Sequence, residues 1–140
     1  MLMAAMMAGI GFEKGLGVGH SMSHAIGALH KIHHGILNAT LLPACLEFNR
    51  GKISNEQAAR IALAAGIDPA GAESSRLDQV IAWVRELNEA FAIPPRLRDL
   101  EVPAEDRERL VDLAMADHCH KTNPRRCEPA DMDELWERAW

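Results

Sequence analysis

Apolar positions along most of the chain recur at three- and four-residue steps, the spacing of one face of an α-helix. The clearest such face consists of Leu77, Val80, Ile81, Val84, Leu87 and Phe91. Upstream, Ser54-Asn-Glu-Gln57 is a capping box, in which the Ser54 and Gln57 side chains each satisfy a backbone amide at a helix start. The helix that follows is predicted to end at Gly66 in a left-handed conformation, and its buried face is predicted to comprise Ala58, Ile61, Ala62 and Ala65.

Prolines mark further boundaries. Pro94-Pro95 is predicted to end the 77–91 helix, and Pro103 to occupy the first position of the next. Pro129 is predicted to open a last helix, and Pro43 to kink a helix over residues 35–48. The helix after Pro103 is predicted to face inward with Leu110, Val111, Ala114 and Met115. The helix after Pro129 is predicted to face inward with Met132, Leu135, Trp136 and Ala139.

Strand signals are nearly absent, because the chain has no tyrosine and no convincing period-two alternation. Loops are predicted near residues 50–53, 67–73, 94–103 and 119–129. The pattern predicts one all-α domain over residues 1–140, a helical bundle. Residues 1–12 lack the basic flank of a signal peptide and are too short to cross a membrane, so we predict a buried helix there.

Composition narrows the function classes. Apolar residues make up 48% of the 140 positions, and the net charge is -5 with acids and bases interleaved. No basic stripe is present, so nucleic acid is not an expected partner, and we expect no membrane partner either. Three cysteines form no disulfide framework, which favours reduced thiols and a cytoplasmic location.

Five of the seven histidines lie within residues 20–34. Imidazole is the commonest metal-ligating side chain and titrates near neutral pH. His20 and His24 share one face if their segment is helical, a spacing that occurs in metal sites and also by chance. Neighbouring residues point apart, so at most one of His33 and His34 is expected to join His20. We expect His30 and His33 to be solvated loop residues.

Glycine is unfavourable inside a helix, yet it recurs around these histidines. Gly15, Gly17, Gly19 and Gly27 therefore predict a close approach of backbone or ligand to this segment.

Several motifs follow one another in a specific order and spacing. They are Met7-Ala8-Gly9-Ile10-Gly11-Phe12, Gly15-Leu16-Gly17, His20-x-x-x-His24-x-x-Gly27, His33-His34-Gly35-x-x-Asn38-Ala39-x-Leu41-Leu42-Pro43, Phe48-Asn49, and Asp117 before Asn123-Pro124-Arg125. The chain resembles the C-terminal helical domain (dehydroquinate synthase-like α domain) of iron-containing, group III, alcohol dehydrogenases. The resemblance is most specific over residues 7–49.

The resemblance implies roles for three histidines. His20 and His34 would ligate a catalytic Fe²⁺ or Zn²⁺ ion, and His24 would lie near the nicotinamide of NAD(P) and the substrate, where it helps to move a proton. The substrate would be a small alcohol or aldehyde. His118, Cys119 and His120 either approach the substrate pocket or form an exposed loop.

Two parts of the family's site have no counterpart in the sequence. No Asp-x-x-x-His pair supplies the remaining ligands, and no G-x-G-x-x-G turn supplies a nucleotide-binding domain. We therefore interpret the chain as a portion truncated at its N-terminus, and expect it to bind metal poorly and to be inactive by itself. We expect a homo-oligomer, or a partner chain that supplies the missing domain, with residues 1–12 as the contact surface.

Two alternatives stay open. The first is a non-catalytic helical module that uses the same surface for oligomerisation or interaction. The second is an unrelated metal-dependent hydrolase built on His20, His24 and His34. The hydrolase needs a carboxylate near the cluster, and Glu13 is the only acid close in sequence before Glu47.

Overall fold

In a computed structural model, residues 2–67 and 75–140 are described, and this part of the chain is helical without strands. The all-α prediction is therefore confirmed. The predicted loop over residues 67–73 lies outside the described residues except for Ile67. The helices are α1 (Leu2–Phe12), α2 (Val18–His30), α3 (His34–Phe48), α4 (Asn55–Ala64), α5 (Arg76–Ala90), α6 (Arg107–Ala116) and α7 (Pro129–Ala139).

The main core lies between α2, α3, α6 and α7. Its fully buried side chains include Met22, Ile26, Leu37, Leu41, Leu110, Met132 and Leu135. The inward faces predicted for α6 and α7 are confirmed, with Met115 only partly buried. A smaller cluster joins α4 to α5 through Ala58, Leu77 and Ile81, and packs against Leu46 and Ile53. These contacts place α2 and α3 at the centre of the bundle.

The Ser54–Gln57 capping box and Gly66 predicted the two ends of α4 correctly. The Ser54 hydroxyl accepts from the Gln57 amide at 3.2 Å, while the Gln57 side chain accepts from the Ser54 amide at 2.9 Å. Gly66 has the predicted left-handed backbone, with φ +73°. Ile61 is 40% exposed, so the buried face of α4 is narrower than predicted.

The face predicted for α5 is buried only over its first three turns. Leu77, Val80, Ile81 and Val84 are buried, whereas Phe91 is 71% exposed. The helix ends at Ala90, and Phe91 occupies its C-cap position. Pro103 is not the first residue of α6 as predicted: its extended backbone precedes a 3₁₀ turn over Ala104–Asp106. The predicted loops near residues 50–53, 94–103 and 119–129 each contain a 3₁₀ turn, at Arg50–Lys52, Leu97–Leu100 and Cys119–Thr122.

A sharp reversal joins α2 to α3. Lys31 adopts a left-handed conformation, φ +55°, and its amide donates to the Gly27 carbonyl. Helix α3 then begins at His34 beside the middle of α2, because Ser23 and His34 are in hydrogen-bond contact. Helix α3 continues through Pro43, which has no amide to donate to the Ala39 carbonyl. The Asn88 side chain donates to that carbonyl instead, at 2.8 Å.

Helix α1 is present as predicted, but the prediction that it is buried is wrong. None of its residues is buried. A helix that is apolar all round ordinarily needs a partner surface, but the described parts of the chain, residues 2–67 and 75–140, bury none of the residues of α1. Within the described ranges, no helix is both long and apolar enough to cross a membrane.

Close approach at the glycines is confirmed for the start of α2. A Cβ atom at Gly17 would lie 2.8 Å from Asn123 Oδ1, and one at Gly19 would lie 2.9 Å from Cys45 Sγ. The approaching groups are side chains of the protein. At Gly27 a Cβ atom would make only ordinary contacts, at 3.7 Å.

Replacing Gly17 with alanine should therefore destabilise the chain. Asn123 cannot move away freely, because its amide is paired with Asn49 and its Oδ1 also accepts from the Val18 amide. We expect Gly17→Ala to lower the free energy of unfolding by about 1–3 kcal/mol, the usual penalty of overpacking.

Urea denaturation measures the difference. The control is Gly11→Ala on α1, where a Cβ atom meets nothing within 4 Å. Because alanine is the better helix former, the control variant should be unchanged or more stable. Equal stability of the two variants would contradict the packing described here.

Candidate active site

Three of the clustered histidines meet where α2 packs against the start of α3. The ring centroids of His20 and His24 are 5.9 Å apart, those of His20 and His34 5.3 Å, and those of His24 and His34 5.2 Å. His20 and His24 lie one turn apart on α2, as the spacing predicted. The reversal at Lys31 brings His34 to them.

The Nε2 atoms of His20 and His34 converge on one group, the Asn38 amide. Asn38 Nδ2 lies 2.8 Å from His34 Nε2 and 3.4 Å from His20 Nε2. An amide nitrogen only donates, so both Nε2 atoms present lone pairs to the same point. His34 Nδ1 then carries the proton and donates to the hydroxyl of Ser23, a fully buried residue, at 2.8 Å.

This arrangement fits a metal ion held by His20 and His34. Ligating histidines usually donate their second nitrogen to a nearby oxygen, as His34 does to Ser23. Asn38 Oδ1 is buried and has no hydrogen-bond partner among residues 2–67 and 75–140. A buried amide oxygen without a donor is unfavourable, so the present arrangement of Asn38 carries a free-energy cost.

Electrostatics keep the two rings neutral. Burial lowers the pKa of His20, and the neighbouring His34 and His24 rings lower it further, against an opposing effect of Asp117. Partial loss of water lowers the pKa of His34, with His24 and His33 adding to the effect. Only a neutral imidazole can ligate a metal, so both rings are in the required state at neutral pH.

His24 is held by a carboxylate from the far end of the chain. Its Nδ1 lies 2.9 Å from Asp117 Oδ2, where the chain leaves α6. Asp117 Oδ1 accepts from the hydroxyl of Ser21 at 2.8 Å and from the Cys119 amide at 2.7 Å. Burial by itself raises the pKa of Asp117, but these hydrogen bonds and that from His24 outweigh it and hold the pKa well below its usual range.

The segment after α6 approaches the cluster only in part. Cys119 is buried with Sγ 4.0 Å from His24 Nδ1, and His120 is buried with its amide donating to Ser21 Oγ. His118 is exposed. Cys119 and His120 therefore lie inside the protein beside α2, whereas His118 lies at the surface. Their approach to a substrate stays a prediction.

Cys119, His24 and Asp117 also have potential ligand atoms within 4.8 Å of one another. However, burial and then the nearby Asp117 raise the pKa of the Cys119 thiol to about 11. In the structure these three side chains form a hydrogen-bonded group around His24 Nδ1.

The prediction that His30 is a solvated loop residue is wrong. His30 ends α2 with its ring half-buried, and its Nε2 lies 3.1 Å from Asp106 Oδ2. His33 is exposed as predicted and occupies the N-cap position of α3, where its side chain makes no capping hydrogen bond. All three cysteines are free.

Sequence reasoning gave no roles to Ser21, Ser23 or Asn38, and none to Asp117 beyond its place in the motif. Ser21 and Ser23 are fully buried polar residues inside a helix, and such groups need partners. The run His20-Ser-Met-Ser-His24 was the available signal, since both serines lie between the two histidines. Nothing local indicates Asp117, which lies 93 positions from His24.

Comparison with known proteins identifies the family of this chain. The chain matches the C-terminal part of the Fe-containing alcohol dehydrogenase family over residues 1–140. The chain belongs to that family. It is 36% identical over 143 residues to lactaldehyde reductase of Escherichia coli K12, covering 100% of this chain and 37% of that protein. It is 33% identical over 147 residues to 4-hydroxybutyrate dehydrogenase of Cupriavidus necator, covering 99% of this chain and 37% of that protein.

Solved structures share the fold. A 1,3-propanediol oxidoreductase superposes with a TM-score of 0.81 at 31% identity, covering 89% of this chain and 33% of that one. An alcohol dehydrogenase from Oenococcus oeni superposes with a TM-score of 0.81 at 28% identity, covering 89% of this chain and 33% of that one. The chain thus spans about a third of the length of the proteins that it matches.

The convergence of the two Nε2 atoms can be tested by adding a third ligand. In Asn38→Asp, a carboxylate oxygen takes the place of Nδ2, which lies near both rings. Three protein ligands make a much better zinc site than two. We expect Zn²⁺ to bind at least ten-fold more tightly than in the parent chain, a change of about 1.4 kcal/mol.

Isothermal titration calorimetry measures this affinity. The same substitution combined with His34→Ala is the control, because it keeps the new carboxylate and removes one ring. The gain in Zn²⁺ affinity should disappear in this double variant. A gain that survives the loss of His34 would show that the new carboxylate binds zinc without the histidine pair.

Proposed function

We propose that this chain supplies part of the active site of an NAD(P)-linked alcohol dehydrogenase. In this assignment His20 and His34 are two ligands of a divalent metal, Fe²⁺ or Zn²⁺. The observation that carries the proposal is the convergence of their Nε2 atoms on one point at Asn38. When bound, such a metal polarises an alcohol or aldehyde oxygen while hydride passes to or from the nicotinamide.

His24 is the group that we assign to proton transfer. It stacks on the His34 ring with 5.2 Å between centroids, and its side chain is 40% exposed. It is therefore beside the proposed metal ligands and open to a small substrate. Its hydrogen bond to Asp117 leaves the second ring nitrogen available to exchange a proton.

The remaining parts of the enzyme lie outside these 140 residues in this proposal. Catalytic metal sites ordinarily have three or more protein ligands, and the nucleotide needs a phosphate-binding turn that the sequence lacks. We propose that another polypeptide segment supplies both. The substrate class is a small alcohol or aldehyde, and the free thiols favour a cytoplasmic location.

A second candidate function rests on α1. Its exposed apolar side chains are Leu2, Met3, Met6, Met7, Ile10 and Phe12, each at least 55% exposed. Apolar patches of this kind usually mark interfaces. The alternative is therefore a non-catalytic helical module that oligomerises or binds a partner through α1. In the dehydrogenase proposal the same surface contacts a second copy or the chain that supplies the missing domain.

Metal binding by the purified chain tests the main proposal. We expect weak binding of one Zn²⁺ or Fe²⁺ ion, and an affinity at least ten-fold lower in His20→Ala and in His34→Ala, since each removes one of two ligands. Equilibrium dialysis followed by metal analysis measures it.

His33→Ala is the matched control, because His33 is the exposed neighbour of His34 and should leave binding unchanged. Equal metal content in the parent chain and the three variants would refute the metal site formed by His20 and His34. The chain alone should not reduce NAD(P)⁺ with primary alcohols, and clear turnover would contradict the assignment of the nucleotide site to another segment.

The exposed surface of α1 should make the chain self-associate. Light scattering should give a mass above the 15.4 kDa of one chain, rising with concentration. Met3, Met7 and Ile10 lie on one face of α1, and replacing all three with glutamine should return the mass to that of a monomer.

Leu63→Gln is the control for this experiment, since Leu63 is 76% exposed on α4, away from the proposed interface. It should associate like the parent chain. A parent chain that stays monomeric at every concentration would exclude α1 as a self-association surface.

A further inference from the structure

Asp117 is a carboxylate that the fold brings to His24 across 93 positions of sequence. We propose that Asp117 is the positioning residue of His24, fixing its ring in the Nδ1–H tautomer so that Nε2 is the nitrogen that exchanges a proton. The proposal deepens the assignment of His24 above and rests on it for its role in the reaction. Its geometric part stands on this chain alone.

The carboxylate is itself rigidly held. Oδ1 accepts from Ser21 Oγ, three residues before His24 on α2, and from the Cys119 amide. Ser21 in turn accepts from the His120 amide at 2.8 Å. Because both donors bind Oδ1, the other oxygen, Oδ2, is aimed at His24 Nδ1. The carboxylate cannot rotate without breaking these hydrogen bonds.

The chemistry of the pair decides which nitrogen carries the proton. Asp117 is ionised, because the hydrogen bonds it accepts hold its pKa well below the usual range. An ionised carboxylate only accepts, so Nδ1 must be the donor in the 2.9 Å contact. In a neutral imidazole the other nitrogen, Nε2, then has the lone pair.

This tautomer gives His24 a defined action. Nε2 can accept the proton of a substrate hydroxyl: the N–H bond forms as the O–H bond breaks, the O–H electron pair and negative charge stay on the substrate oxygen, and the positive charge appears on the ring. Asp117 stabilises that charge without taking the proton, as carboxylates do in other histidine–aspartate pairs. In the reverse direction the proton leaves from the same nitrogen.

Nitrogen NMR of the ring tests the proposal. In the ¹⁵N-labelled parent chain, at a pH where His24 is neutral, long-range ¹H–¹⁵N spectra should show His24 as Nδ1–H. His24→Gln identifies its signals by their disappearance. A parent His24 in the Nε2–H form would overturn the proposal, and this measurement requires no further variant to fold.

Asp117→Asn should reverse the tautomer. The amide oxygen keeps the hydrogen bonds from Ser21 and Cys119, so the new NH₂ group faces His24 Nδ1, which must then accept. We expect the population to shift from mainly Nδ1–H to mainly Nε2–H. Circular dichroism and the amide spectrum verify that the variant is folded. A folded variant with an unchanged tautomer would refute the positioning role.

Asp106→Asn is the matched control, since Asp106 contacts His30 Nε2 at 3.1 Å in the same chain. It should change the His30 signals and leave those of His24 in place. A change at His24 in this control would show that the His24 tautomer does not report on Asp117 specifically. All these spectra are recorded without metal, nucleotide or substrate. Their outcome is therefore independent of the metal-binding test of the proposed function.

Discussion

The hydrogen bonds that surround the Asp117 carboxylate are the constraint on which the site depends. A buried charge is unfavourable unless polar groups satisfy it, and here Ser21, the Cys119 amide and His24 do so. These contacts tie α2 to the chain that leaves α6. The Asn49–Asn123 amide pair secures the same segment to the end of α3. The position of His24 is therefore set by the packing of three helices, and a change in that packing moves the ring.

The buried serines of α2 show how the protein arranges ligands from a short helix. Ser23 orients His34, and Ser21 orients Asp117, which orients His24. Each histidine at the proposed site is thus directed by a second residue or, for His20, by the Asn38 amide. Such supporting contacts matter as much as the ligands for metal affinity and for ring tautomer. They also supply hydrogen-bond partners to the buried serines at the centre of the bundle.

Asp117 also bears on the hydrolase alternative. That alternative required a carboxylate near the histidines, and Glu13 was the acid close in sequence. The structure supplies the carboxylate from Asp117 instead. The chain belongs to the Fe-containing alcohol dehydrogenase family, and the relatives that it matches have the names of dehydrogenases or reductases, such as lactaldehyde reductase. The same family membership gives the exposed α1 a simple meaning in our proposal, as a surface covered by the rest of an enzyme.

The sequence by itself determined most of the helices and several of their ends, and it placed His20 and His24 on one face if their segment was helical. These features depend on hydrogen bonds and side-chain spacing within a few residues, as at the Ser54–Gln57 capping box. The family resemblance already implied that His34 meets His20, and the packing of α2 against α3 brings the two rings together. Only the tertiary structure decided that Asp117 holds His24 and that α1 and Phe91 are exposed. Helical periodicity shows that a residue lies on an apolar face, but not whether another element covers that face. Contacts such as that between His24 and Asp117 arise only when distant helices pack together, so no local pattern encodes them.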